Sequence, residues 1–139
     1  MSLRSKKLSD ADYVRLADFR YALRCFLEFS ETAAAGEGLT PQQHQALLVI
    51  RASPGSMASI SRLAERLRIR HHSAVELANR LESGGLIVRE ISTEDRRAVN
   101  LRLTEDGEGR LDRLTRVHRG ELRQLKPEIL GMLHSIEDP

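Results

Sequence analysis

The sequence predicts a mainly α-helical chain with one small β-hairpin, an α+β arrangement built as a single domain over residues 1–139. Three observations carry this expectation. Apolar residues recur at helical spacing over most of the chain. Glycines, prolines and Ser/Thr caps cut that pattern into helices of very unequal length. After Gly84-Gly85 the period switches from 3.6 to 2 for two short runs flanking a charged turn.

The first helix is expected from residue 10 to about 35, because no glycine or proline intervenes before Gly36. Leu16, Phe19, Leu23, Phe26, Leu27 and Ser30 share one face. Val14, Tyr21, Ala22, Cys25 and Phe29 form a second, roughly opposite face. A surface helix of a monomer shows one apolar stripe, and about 25 residues at 1.5 Å each reach roughly 37 Å. Two apolar faces on so long a helix predict cover by its own chain on one side and by a second subunit on the other. Thr40-Pro41-Gln42-Gln43 has the cap, the N1 proline and the N3 glutamine of a helix start, so a second helix is expected to about residue 51. Ser53-Pro54-Gly55 stops it.

A third helix follows at about 60–67, capped by Ser59, with Ile60, Leu63, Ala64 and Leu67 inward. After the link Arg68-Ile69-Arg70 a fourth is expected at about 72–83, with Ala74, Leu77, Ala78 and Leu81 inward. Residues 86–92 and 98–103 read as the two strands of a hairpin, with Thr93-Glu94-Asp95-Arg96-Arg97 as its tip. Thr104 caps a long amphipathic helix to about residue 124, and Pro127 fits the first position of a separate short last helix.

Composition excludes several classes. The longest apolar run is Ala46–Ile50, far short of the about 20 residues that span a membrane. No apolar core for a secretory signal follows Met1, so a cytoplasmic protein is expected. One cysteine builds neither an intrachain disulfide framework nor a Cys-rich zinc site. The net charge is only +2, but between positions 62 and 97 eight arginines face six carboxylates. Arginine offers a planar fork suited to phosphate and to guanine edges.

Two short helices with a tight link, the second followed by a hairpin, make a winged helix-turn-helix pattern. Its second helix suits the DNA major groove. The outward residues Arg70, His71, His72, Ser73, Glu76, Asn79 and Arg80 are the candidates for that contact. The hairpin tip, with Arg96 and Arg97, is the candidate for the adjacent minor groove.

Five fragments in order, L-T-P-Q-Q-H-Q-A-L-L (39–48), L-A-E-R-L-R-I (63–69), R-L-E-S-G-G-L-I-V-R (80–89), E-D-R-R (94–97) and L-T-E-D-G (103–107), resemble the MarR family of transcriptional regulators. The resemblance implies a homodimer that binds a pseudo-palindromic operator in double-stranded DNA, most often as a repressor. It implies a winged-helix lobe at about 40–104 and a dimerisation region at about 8–36 plus 105–139. The family's Asp-x-Arg wing motif falls on Asp95 and Arg97, which implies that Asp95 braces the wing while Arg97 enters the minor groove. It also implies a small aromatic or anionic effector, and no cofactor. One departure matters. Where the family often has Ser/Thr-Val-Ser/Thr-Arg, this chain has Ser73-Ala74-Val75-Glu76. Glu76 repels phosphate but can accept from a cytosine amino group.

Competing readings are a thiol-based redox switch at Cys25 and a winged helix that binds protein. The segment around Cys25 resembles the peroxide-sensing branch of the family. That branch also carries tyrosines near the start of its second helix, and none stands in L-T-P-Q-Q-H. No metal site is expected, since the five histidines show no i, i+4 ligand pair. An enzyme is not expected either, in the absence of G-x-S-x-G, P-loop or H-E-x-x-H patterns.

Overall fold

The computed structural model describes residues 7–92 and 98–134. It contains helices α1 (Asp10–Gly36), α2 (Pro41–Ala52), α3 (Ile60–Leu67), α4 (His71–Ser83) and α5 (Glu105–His134). Strands β1 (Met57–Ala58), β2 (Ile87–Ile91) and β3 (Val99–Leu103) form one antiparallel sheet in the order β1-β3-β2. The expected α+β class with a hairpin is therefore what the chain adopts, with one strand more than the sequence indicated. Met57 and Ala58 pair with Arg102 and Leu101. A two-residue strand after the Ser53-Pro54-Gly55 turn shows no alternation to detect, so only its partner reveals it. The chain divides into two compact units, one of residues 31–117 and one of the described residues in 1–30 and 118–139.

In the larger unit the caps do what the sequence requires of them. The Thr40 hydroxyl accepts the Gln43 N–H at 3.1 Å, and the Thr40 N–H donates to Gln43 Oε1 at 3.0 Å. Ser59 Oγ accepts from the Arg62 N–H at the start of α3. Three helix ends share one geometry. After α1, α3 and α4 the chain turns through a left-handed residue, respectively Gly38, Arg68 and Gly85. In each case the next N–H reaches back five residues: Leu39 to Ala34, Ile69 to Ala64, and Leu86 to Leu81. This is the Schellman termination, in which a residue without a Cβ is favoured at the left-handed position. Arg68 is the exception.

The start of α5 is tied to the end of α4. Thr104 Oγ1 donates to the Gly85 carbonyl at 2.6 Å and accepts from the Gly107 N–H at 3.1 Å. The Thr104 N–H donates to the Leu86 carbonyl. Gly107 is buried against that same backbone, where no Cβ would fit. This accounts for the L-T-E-D-G fragment: its threonine caps and its glycine permits contact.

All the fully buried hydrophobic side chains described belong to this unit, among them Leu47, Ile50, Leu63, Leu81, Ile87, Leu101 and Leu114. They join α2, α3, α4, the sheet and residues 105–117 of α5 around one core. Glu37, half-buried just after α1, is held by both oxygens. Arg113 Nε and Nη2 donate to them at 2.8 and 3.0 Å, and Arg110 Nη1 donates to its carbonyl at 2.9 Å. The Arg113 hydrogen bonds hold the Glu37 carboxyl below its usual range.

The helical unit differs in kind. None of its described apolar side chains is fully buried, while Tyr13, Leu16, Phe19, Leu23, Leu27, Leu122 and Leu133 stand exposed. Two expectations are corrected here. On α1 the half-buried side is Ala22, Phe26 and Phe29 with the buried Ser30, so Phe26 and Phe29 share a face instead of opposing one another. Both rings meet the His118 ring edge-on, at centroid distances of 5.9 and 5.4 Å, and His118 Nε2 lies 2.8 Å from Ser30 Oγ. A helix apolar on most of its circumference does not reveal which stripe its own chain covers. The second correction is at Pro127, which starts no new helix. α5 runs through it. Proline there forfeits one backbone hydrogen bond, a cost of about 3 kcal/mol in a helix interior that long flanking turns must offset.

Candidate nucleic-acid interface

Helix α4 turns Ala74, Leu77, Ala78 and Leu81 inward, as the periodicity predicts. At 100° per residue the opposite pole is His72, Glu76, Asn79 and Ser83, with Arg80 to one side of it, while His71, at the helix start, lies nearer the inward stripe. All six are exposed, while Ser73 is half-buried beside Ala74. Of the expected groove-facing residues, His72, Glu76, Asn79 and Arg80 share one side of α4, Ser73 stands at its margin, and Arg70 and His71 mark its start.

The N-terminus of this helix is unlike those of α2, α3 and α5. Their first turns are closed by Thr40, Ser59 and Thr104. The cap position of α4 is Arg70, which makes no side-chain bond to the helix, and its first turn contains no acid. The amides of His71, His72 and Ser73 therefore stand at a positive helix end that no side chain caps, in a stretch where Arg70, His71 and His72 are exposed. Helix starts of this kind attract phosphate.

The arginines sort into two groups. Arg51 bonds Glu108 at 2.6 Å and Ser56 at 2.9 Å. Arg62 bonds Ser53 at 2.7 Å. Arg102 spans the sheet to Glu90 at 3.1 Å. Arg89 bonds Asn79 at 2.6 Å and lies 3.9 Å from Glu82. These guanidiniums serve the fold. Arg66, Arg68, Arg70 and Arg80 are exposed, and among the described residues none has a carboxylate within ion-pair distance. All four belong to α3, α4 or the turn between them. Arg66 and Arg68 are not among the sequence candidates, because which arginines find a carboxylate is decided by contacts between elements. The bond from Arg89 to Asn79 is not legible in the sequence either, because no spacing rule links a strand residue to one on the preceding helix.

The wing rises from β2 and β3, whose pairing runs from Ile87 opposite Leu103 to Ile91 opposite Val99. The Ser92 N–H donates to the Ala98 carbonyl across the base of the tip. The expected tip residues Asp95, Arg96 and Arg97 lie outside the described residues.

Cys25 is exposed on α1. One turn earlier, a hydrogen bond to Cys25 holds the Tyr21 phenol above its ordinary value. The tyrosine beside this thiol thus comes from the same helix, at i, i−4. No described group of three His, Cys, Asp or Glu side chains is placed to hold a metal ion. No described helix is long and apolar enough to cross a membrane.

This geometry has known counterparts. Residues 37–98 match the sequence model of the MarR family. A protein of Thauera aromatica named for transcriptional regulation of the hcr operon is 36% identical over 105 residues, covering 76% of this chain and 60% of its own length. The chain spans about half to three-fifths of the length of the curated relatives it matches. Among solved structures, AbsC, a MarR family transcriptional regulator from Streptomyces coelicolor, superposes with a TM-score of 0.73 at 24% identity, covering 97% of this chain and 95% of AbsC. A variant of the Staphylococcus aureus protein MepR, solved bound to an oligodeoxyribonucleotide, gives 0.69 at 20% identity, with 94% and 100% coverage. Both short helices and strand β2 fall within the matched residues: over that stretch this chain is similar to the MarR family, on a winged-helix fold that the solved structures share.

Proposed function

We propose that the protein is a cytoplasmic transcriptional regulator, acting as a repressor, that binds a pseudo-palindromic operator in duplex DNA as a homodimer. The observation that carries this is the set of exposed arginines on α3, on α4 and in the turn between them, Arg66, Arg68, Arg70 and Arg80, which have no carboxylate within ion-pair distance among the described residues, together with the uncapped start of α4. Arg70, His71, His72, Ser73, Glu76, Asn79 and Arg80 are assigned to the major groove. Arg96 and Arg97 are assigned to the minor groove, with Asp95 bracing them. A solved structure of similar fold holds an oligodeoxyribonucleotide, which supports the assignment. Dimerisation is supported by the helical unit, which exposes large apolar side chains and buries none completely. A face of that kind calls for a partner, and a second copy is the economical one. Two copies present two half-site readers about one helical turn of DNA, 34–36 Å, apart.

A small aromatic or anionic effector belongs to the same proposal. It would lower operator affinity only by binding better to lobe spacings that do not match the DNA. The test is direct. Sedimentation should show a dimer, and fluorescence anisotropy should show duplex binding that weakens steeply with salt. A monomer with no salt-dependent affinity for genomic fragments would overturn the proposal.

A further inference from the structure

Asn79 stands at the solvent pole of α4, where an unrestrained asparagine would read adenine. That readout needs both ends of the carboxamide, with Oδ1 accepting from the adenine N6 amino group while Nδ2 donates to N7. Here the acceptor end is turned toward β2; an amide oxygen keeps a second lone pair, so it is this orientation, not saturation, that withdraws it from the groove. Arg89 of β2 donates through Nη2 to Asn79 Oδ1 at 2.6 Å, while its Nη1 lies 3.9 Å from Glu82, one turn further along α4. The assignment of the oxygen does not depend on which way round the amide is drawn. A guanidinium has only donors, so the carboxamide atom facing it must be the acceptor. The bond is charge-assisted, and Glu82 lies within ion-pair distance of the other arm of the fork.

We infer that Arg89 is a positioning residue that turns Asn79 into a donor-only reader of the major groove. This rests on the DNA-binding reading above. With Oδ1 drawn toward β2, the side chain offers its Nδ2 amino group to the DNA. That group satisfies the adjacent acceptors O6 and N7 of guanine, and it leaves the N6 amino group of adenine without a partner. Asn79 therefore favours guanine over adenine at one base pair in each half-site. The strand that carries the wing thereby sets the specificity of the recognition helix through one side chain.

The test is selection of bound fragments from random duplex DNA with four proteins: wild type, Asn79→Ala, Arg89→Met and Arg89→Lys, each checked for a folded far-UV spectrum. Wild type should enrich guanine at one position per half-site, and Asn79→Ala should lose that preference there and nowhere else. Arg89→Met should move it toward adenine, on the order of fivefold in relative enrichment, the scale of one bidentate base contact. Arg89→Lys, which retains a donor to Oδ1, should keep guanine. Adenine at that position in the wild type overturns the inference. So does an unchanged preference in Arg89→Met, or a uniform loss of affinity without a change of base. Should Arg89→Met fail to fold, a shift to adenine in Arg89→Lys, or no positional effect of Asn79→Ala, overturns it equally. A wild type that selects no DNA at all removes the functional proposal itself, an outcome distinct from binding with the wrong base.

Discussion

A Cβ at position 107 would fall well inside van der Waals contact of the Leu86 carbonyl oxygen, which already accepts the Thr104 N–H. The obstacle is backbone, fixed by the Schellman turn at Gly85 and by the Thr104 hydroxyl on the Gly85 carbonyl. It cannot swing aside as a side chain would. Gly107→Ala should therefore destabilise the protein despite gaining up to about 1 kcal/mol of helix propensity. Overpacking of this kind costs about 1–3 kcal/mol or more. Urea denaturation should show a lower midpoint for Gly107→Ala, with Gly120→Ala, where a Cβ meets nothing within 4 Å, as the control that gains stability.

That contact shows what sequence reasoning can and cannot reach. The capping box at Thr40, the inward faces of α3 and α4 and the alternation in β3 follow from local rules, because each depends on neighbours within one turn or one strand. The Asn79–Arg89 bond, the Gly107–Leu86 approach and the pairing of β1 with β3 join elements from different parts of the chain, and no spacing announces them. The stripe of α1 that contacts His118 differs from the expected one for the opposite reason. Apolar residues occur on so many sides of that helix that periodicity does not choose between them. At Pro127 local rules favour a new start, and the long helix overrides them.

Arg68 adopts φ +57° at the position filled by glycine in the two companion turns. A side chain there carries strain of roughly 1 kcal/mol that glycine would relieve. Its retention is intelligible if the guanidinium contacts phosphate. Arg68→Gly should raise stability in urea by about 0.5–1 kcal/mol and weaken DNA binding at the same time. A variant that is stabilised but binds with unchanged affinity would assign Arg68 no role at the interface.

Glu37 has its folded-state carboxyl lowered chiefly by its hydrogen bonds from Arg113, so it binds fewer protons folded than unfolded at mildly acidic pH. The sign is that of a depressed acid. Its contribution is complete above the ordinary carboxylate value near 4.5 and is lost as pH falls through the lowered one. Glu37→Gln should melt earlier than wild type at neutral pH, and the two melting curves should converge as the medium becomes more acidic than this window. Thermal scans at several pH values would test this, and parallel curves at all pH values would refute it.

Glu76 places a carboxylate on the face assigned to the groove, with no basic partner within ion-pair distance among the described residues. Facing a polyanion it opposes binding everywhere except where a cytosine amino group can donate to it. Glu76→Gln should therefore tighten binding to random duplex DNA several-fold and relax selectivity at one base pair. Anisotropy titrations on an operator and on a scrambled duplex separate the two effects. Equal tightening on both would leave Glu76 a purely electrostatic role.

The two groups of arginines make the sharpest contrast. Arg102 is bonded to Glu90, and its Nη1 also donates to the Gly55 carbonyl at 3.4 Å. Arg80 has no such partner among the described residues. If charge on α4 is held for phosphate, Arg80→Ala should leave the urea midpoint nearly unchanged. It should also reduce the slope of log affinity against log salt by about one. Arg102→Ala should do the reverse, lowering stability by about 1 kcal/mol or less, as expected of a partly exposed pair, while leaving the salt slope intact. Identical salt slopes for Arg80→Ala and wild type would mean that Arg80 releases no counterion from the DNA. The unpaired arginines of this face would then be solvated surface, and the uncapped start of α4 would have to account for phosphate binding alone.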